Sequence, residues 1–86
     1  MRLKFLLGDG TMKSIQISLQ MAQKVKEFVS ITQDCPHEVL LKSGKYVVDA
    51  KSILGIFSLD LSQPIIVEIY SDACDEWLER LKAFQN

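Results

Sequence analysis

Cys35-Pro36-His37 places a thiol and an imidazole two residues apart. These are the two groups from which a thiolate–imidazolium nucleophile is built. Pro36 stiffens the turn between them, and no third group is set to orient the ring. The pair therefore reads as a solvated turn histidine beside a small packed cysteine. His37 is the only histidine in the chain, so any histidine chemistry must use it. A closed zinc site needs four Cys/His-type ligands. With Cys35, Cys74 and His37 alone, none can be assembled from neighbours, and no metal or cofactor is expected. Cys74 falls in the first turn of the last expected helix, where a thiol pKa is lowered. Packing without function is the simpler account of it.

Gly8-Asp9-Gly10 lacks the spacing of a phosphate loop and the Lys-Ser/Thr pair that follows one, so it reads as a turn. Lys51-Ser52 has the end of such a loop without its upstream glycines. Ser52 is more informative. A serine at a helix N-terminus caps free backbone N–H groups. A phosphate carried there would gain from the same donors and from the helix dipole. Beyond it, Ile53, Leu54, Ile56, Phe57 and Leu59 are apolar on nearly every side of a one- or two-turn helix. Such a helix buries only one face, so part of this set should remain exposed as a small partner-binding patch.

These residues must be carried by elements that the patterning shows. Met1–Leu7 is short and apolar, and it either pairs as an extra strand or is a loose extension. Thr11–Ser18 alternates from Ser14 and reads as a strand. Met21, Val25, Phe28, Val29 and Thr32 form the stripe of an amphipathic helix, with Ser18 as its expected N-cap and Asp34-Cys35-Pro36 as its stop. Glu38–Lys42 and Tyr46–Asp49 read as two strands joined by Ser43-Gly44-Lys45. A short helix capped by Ser52 follows, and then the β-branched strand Ile65–Tyr70. A final helix, capped by Ser71 or Asp72, carries Trp77, Leu78, Leu81 and Phe84 on one face. Its acidic residues Asp75, Glu76 and Glu79 come early and Arg80 and Lys82 late, which suits the dipole. The order β-α-β-β-α-β-α implies an α+β layer of helices on an antiparallel sheet.

Composition narrows the class. A chain of 86 residues is read as one domain, 1–86, with 1–12 as an N-terminal extension or extra strand. Apolar residues at 48% and charged residues at 24% argue against disorder. Ten Lys+Arg against eleven Asp+Glu leave a net charge of −1. The lysines are scattered, so the basic footprint of a nucleic-acid binder is missing. The apolar run after Arg2 and Lys4 stops too early for a signal peptide, and no stretch reaches transmembrane length. The expected setting is the cytoplasm, with no membrane association and both cysteines reduced.

The run Gly44-Lys45-Tyr46-Val47-Val48-Asp49-Ala50-Lys51-Ser52-Ile53-Leu54-Gly55-Ile56-Phe57-Ser58-Leu59 resembles the central region of HPr, the histidine-containing phosphocarrier of the bacterial sugar phosphotransferase system. The Lys-Ser-Ile-Leu-Gly core is its most specific part, and the element order is similar over about Lys13–Phe84. The resemblance implies an open-faced sandwich, three helices covering one side of a four-stranded antiparallel sheet. It also implies a phosphorylated histidine just before the first helix, an arginine two residues later and a proline next. At the family's spacing from Ser52 these positions hold Met21, Gln23 and Lys24. A methionine has no ring nitrogen to phosphorylate, and glutamine has no guanidinium to clamp the phosphate.

The resemblance thus implies a family member without phosphocarrier activity and not an enzyme, acting as a regulatory or protein-binding module. Ser52 matches the serine phosphorylated by a dedicated kinase in many Gram-positive bacteria. Ile53, Leu54 and Phe57 match the surface through which such proteins dock. The implied partners are phosphotransferase-system enzymes, an HPr kinase or a transcription regulator, met by a monomer. Two other readings stand beside this one: a phosphoryl carrier that uses His37 or another residue, and a small-molecule-sensing α+β module in which only the architecture is shared.

Overall fold

The computed structural model describes residues 12–85. The expected pairing of Met1–Leu7 lies outside the described residues. Four strands, β1 (Lys13–Ile17), β2 (Val39–Ser43), β3 (Tyr46–Asp49) and β4 (Ile65–Ile69), form one antiparallel sheet in the order β1-β4-β2-β3. Three helices, α1 (Ala22–Asp34), α2 (Ile53–Phe57) and α3 (Asp75–Leu81), connect and cover it, and a 3-10 turn (Lys82–Phe84) follows α3. No helix among the described residues is long and apolar enough to cross a membrane.

The strands form where period-2 alternation of β-branched residues demands it. Register puts Ile15, Val67, Leu41 and Val48 in one row across the sheet, on the face that carries the helices. Ile17, Ile65, Ile69 and Val39 share that face and are buried. The next row, Gln16, Ile66, Lys42 and Val47, points to the other side. Glu68 lies on that side too. It is buried, and it is paired with Lys42 Nζ at 3.2 Å while accepting from the Tyr70 hydroxyl at 2.6 Å. A buried carboxylate needs such partners, because its desolvation is otherwise uncompensated. The β2–β3 hairpin turns on two residues, with Gly44 at φ 59 and no other residue of positive φ among the described residues. A positive φ at the first turn residue alone is the type II′ pattern that matches strand twist.

α1 buries Val25, Phe28, Val29 and Thr32, as its stripe requires. Its start differs from the sequence expectation. Ser18 is not the cap: its amide donates to Phe84 O at 2.9 Å, and Leu19 is fully buried just after it. The helix begins only after Leu19 is seated in the core. Met21 is the N-cap, extended at φ −110 and ψ 136, with no side-chain cap bond. That extended backbone turns Met21 away from the stripe, and it is 64% exposed rather than inward.

α3 likewise starts later than its expected caps. Cys74 is the N-cap, while Ser71 Oγ accepts from Ala73 N at 2.9 Å and closes a turn ahead of the helix. The acidic first turn and Arg80 in the last turn follow the dipole. Phe84 leaves the helix on the 3-10 turn and sets its ring edge-on to Phe28, 5.8 Å between centroids at 90°.

Candidate functional site

The loop from β3 into α2 is fixed by side chains from the end of α1. Thr32 Oγ1 donates to Ala50 O at 2.8 Å, and Gln33 Nε2 donates to Lys51 O at 3.3 Å. Lys51 Nζ returns to Cys35 O at 2.7 Å, at the C-cap of α1. Lys51 N donates to Asp49 Oδ1 at 2.9 Å and Ser52 N to Asp49 O at 3.1 Å. Every backbone group that leads into Ser52 thus has a partner, and the serine is presented in one geometry.

Ser52 does cap α2. Its Oγ accepts from Gly55 N at 3.1 Å. Gly55 sits close by: a Cβ there would meet Ser52 Oγ at 3.3 Å and Val48 Cβ at 3.4 Å. A side chain on residue 55 would press on the cap itself. Replacing the cap removes one satisfied donor, so Ser52→Ala should lower the unfolding free energy by about 1 kcal/mol in urea denaturation. A loss near zero would mean that water serves Gly55 N equally well.

α2 divides as the sequence requires. Ile56 and Leu59 are buried, while Ile53 (36%), Leu54 (81%) and Phe57 (46%) are exposed. Tyr46, at 71%, is exposed on β3, and it shares a groove with Ser58, Asp60 and Pro64. Sequence reasoning took Tyr46 only as a strand residue. Strand alternation gave it a face but not an exposure, which depends on how far α2 reaches over the sheet edge. Beyond α2, Asp60 accepts from Ser62 Oγ at 2.6 Å and Ser62 N at 3.1 Å, and these bonds hold its carboxyl below the usual carboxylate range.

The N-terminus of α1 lies at the other end of α2. The loop after α2 reaches it, with Gln20 Nε2 donating to Ser62 O at 3.4 Å. Here a hollow of about 170 Å³ is lined by Met21, Lys24, Phe84, Ser18, Gln20 and their neighbours. Lys24 stands 5.6 Å over the Phe84 ring and 3.7 Å from Glu27, and Gln23 Nε2 contacts Glu27 at 3.5 Å. Met21, Gln23 and Lys24 thus gather at one helix end. Their polar groups turn toward Glu27 and Phe84.

His37 is elsewhere. It is half-buried between Cys35 at the C-cap of α1 and the start of β2, the opposite end of α1 from Met21. Cys35 points into the core at 3% exposure. Cys74 differs from the sequence expectation. Burial pushes its thiol up, outweighing the nearby Lys13 cation, while Asp75, Cys35 and Asp72 push the same way. The dipole of a short helix end does not compensate a thiol that is fully out of water. A raised folded-state pKa means that the unfolded chain loses this proton first as pH climbs. The stability is complete below the ordinary thiol value and is lost as pH rises through the folded value. Between pH 8 and pH 10 the wild-type chain should therefore lose more stability than Cys74→Ala, read from urea midpoints. Equal losses would place the titration elsewhere.

This sheet order, with three helices on one face and a serine-capped short helix beside the β3 edge, is an open-faced α+β sandwich. Solved structures agree. A crystal structure of a phosphocarrier protein HPr from Bacillus anthracis str. Ames superposes with a TM-score of 0.70 at 28% identity, over 87% of this chain and 95% of that one. The crystal structure of HPr-C-His from Thermoanaerobacter tengcongensis gives a TM-score of 0.65 at 26% identity, over 84% of this chain and 86% of that one. No family model and no curated protein sequence matches the chain. The protein is HPr-like in fold, in element order and in the extent of chain matched.

Proposed function

We propose that this HPr-like chain acts by docking to protein partners and not by carrying a phosphoryl group. The observation that supports this most directly is Met21. It caps α1 where the resemblance expects a phosphorylated histidine, and it is 64% exposed with a thioether that cannot accept phosphate. Gln23 and Lys24 beside it offer no guanidinium fork. His37, the only imidazole, stands at the far end of the helix. The docking face in this reading is Ile53, Leu54 and Phe57, all of them exposed. An apolar patch exposed on a short helix and rimmed by polar residues is the usual form of such a surface. Its partners in this reading are phosphotransferase-system enzymes, an HPr kinase or a transcription regulator, met in the cytoplasm by a monomer.

Ser52 is the regulatory position in the same reading. It sits at the edge of the patch, so a phosphate there would add about −1.5 to −2 charges beside Ile53 and Leu54. An ATP-dependent HPr kinase should label the chain at Ser52, and Ser52→Ala should remove the label. A wild-type chain that stays unlabelled would leave the serine as a cap alone.

A further inference from the structure

β3 is an edge strand: β2 lies on one side of it, and no strand among the described residues lies on the other. Ala50 N donates to Val39 O at 2.9 Å, one step beyond the β2–β3 ladder. Backbone groups alternate sides along an antiparallel strand, so Tyr46 and Val48 bond to β2 while Val47 and Asp49 turn theirs outward. Asp49 O is taken by Ser52 N at 3.1 Å, which leaves Val47 N, Val47 O and Asp49 N on the open side. Such a row is a template for another strand. The side chains along it are exposed as well. Tyr46 at 71% and Val47 at 50% are the only large apolar side chains of the described strands to be exposed. Lys45 and Asp49 flank them, both exposed and of opposite charge. Neither stands in an ion pair among the described residues.

We propose that β3 pairs antiparallel with β3 of a second copy of this chain, Val47 opposite Val47, in a two-fold dimer that forms as concentration rises. In this register Val47 N of each copy donates to Val47 O of the other. Lys45 comes opposite Asp49 at both ends, and Tyr46 comes opposite Val48 on the helix-bearing face. A two-fold contact must be self-complementary. β3 meets that demand because its cation and its anion stand two residues either side of Val47. Opposite charges across a strand pair attract and like charges repel. A slip of two residues sets Lys45 or Asp49 against Val47 and loses both pairs. A slip of one sets the two faces of the sheet against each other. This charge symmetry favours a second copy over an unrelated strand. The edge is only four residues long, so the contact is small and the dimer weak. The paired segment contains none of Ile53, Leu54 and Phe57, and dilution returns the monomer that the docking reading requires.

Sedimentation equilibrium of the full chain, from about 10 μM to about 1 mM, reads the association. The weight-average mass should climb from one chain toward two and stop there. In the same samples the Val47 amide should exchange more slowly with deuterium as concentration rises. Lys45→Glu opposes two carboxylates at each end, and Val47→Pro removes the donor at the centre. Each should weaken the pairing at least about tenfold. Proline is tolerated there because Val47 N lies outside the β2 ladder, and Lys45→Glu changes only an exposed turn residue. A chain that stays monomeric throughout, grows beyond the dimer, or pairs as well in either variant as in wild type would overturn the proposal.

Discussion

Phe28→Ala should destabilise the protein by about 3–5 kcal/mol, the usual range for emptying an aromatic core site. Phe28 is fully buried on α1 between the sheet and the end of the chain. Its ring receives the edge of Phe84, and such pairs add roughly 0.5–1.5 kcal/mol beyond their buried area. The loss therefore reaches α1 and the 3-10 turn together, and with them the Ser18–Phe84 bond that closes the molecule. At a stability of roughly 0.05–0.15 kcal/mol per residue, such a loss removes a large share of the total. Phe28→Leu, which keeps most of the volume, should cost less than about 1.5 kcal/mol. Urea denaturation with both variants measures the pair. A cost below 1 kcal/mol for Phe28→Ala would mean that α1 does not pack as described.

The second large effect is a gain. A chain carrying Met21→His together with Gln23→Arg should accept a phosphoryl group from phosphoenolpyruvate through the first enzyme of the phosphotransferase system. The cap of α1 is extended and its side chain faces solvent, so an imidazole placed there is reachable. The Met21 carbonyl already takes the first helical bonds, from Lys24 N at 2.9 Å and Val25 N at 3.2 Å, and neither substitution disturbs them. An arginine two residues on returns a fork of donors for the phosphate. Labelling should rise from background to a measurable, acid-labile fraction, and Met21→His alone should label less. An unlabelled double variant would show that the surface no longer meets that enzyme.

Much of the fold could be read from residues. Tyr46–Asp49, the hairpin turn at Ser43-Gly44-Lys45 and the cap at Ser52 each rest on a local rule, and each is where that rule places it. The starts of α1 and α3 could not be read this way. Ser18 and Ser71 carry the side chains that caps favour, while the true caps, Met21 and Cys74, make no side-chain cap bond and leave no signal. What decided these ends was tertiary: Leu19 had to enter the core before α1 could begin, and Cys74 had to be buried. The same competition explains Cys74 itself, since desolvation overrode a helix-end argument that looked only at its neighbours in sequence. The exposed half of α2 was legible because a short apolar helix cannot bury all its faces. Tyr46 was not, because edge-strand exposure is set by the element packed beside it.

The most direct test of the docking reading is the intact mass of the wild-type chain after incubation with phosphoenolpyruvate and the first enzyme of the system. A phosphorylatable HPr in the same tube serves as the positive control. The account predicts an unchanged mass for wild type and for His37→Asn while the control is labelled. An acid-labile phosphate on the wild-type chain would contradict it.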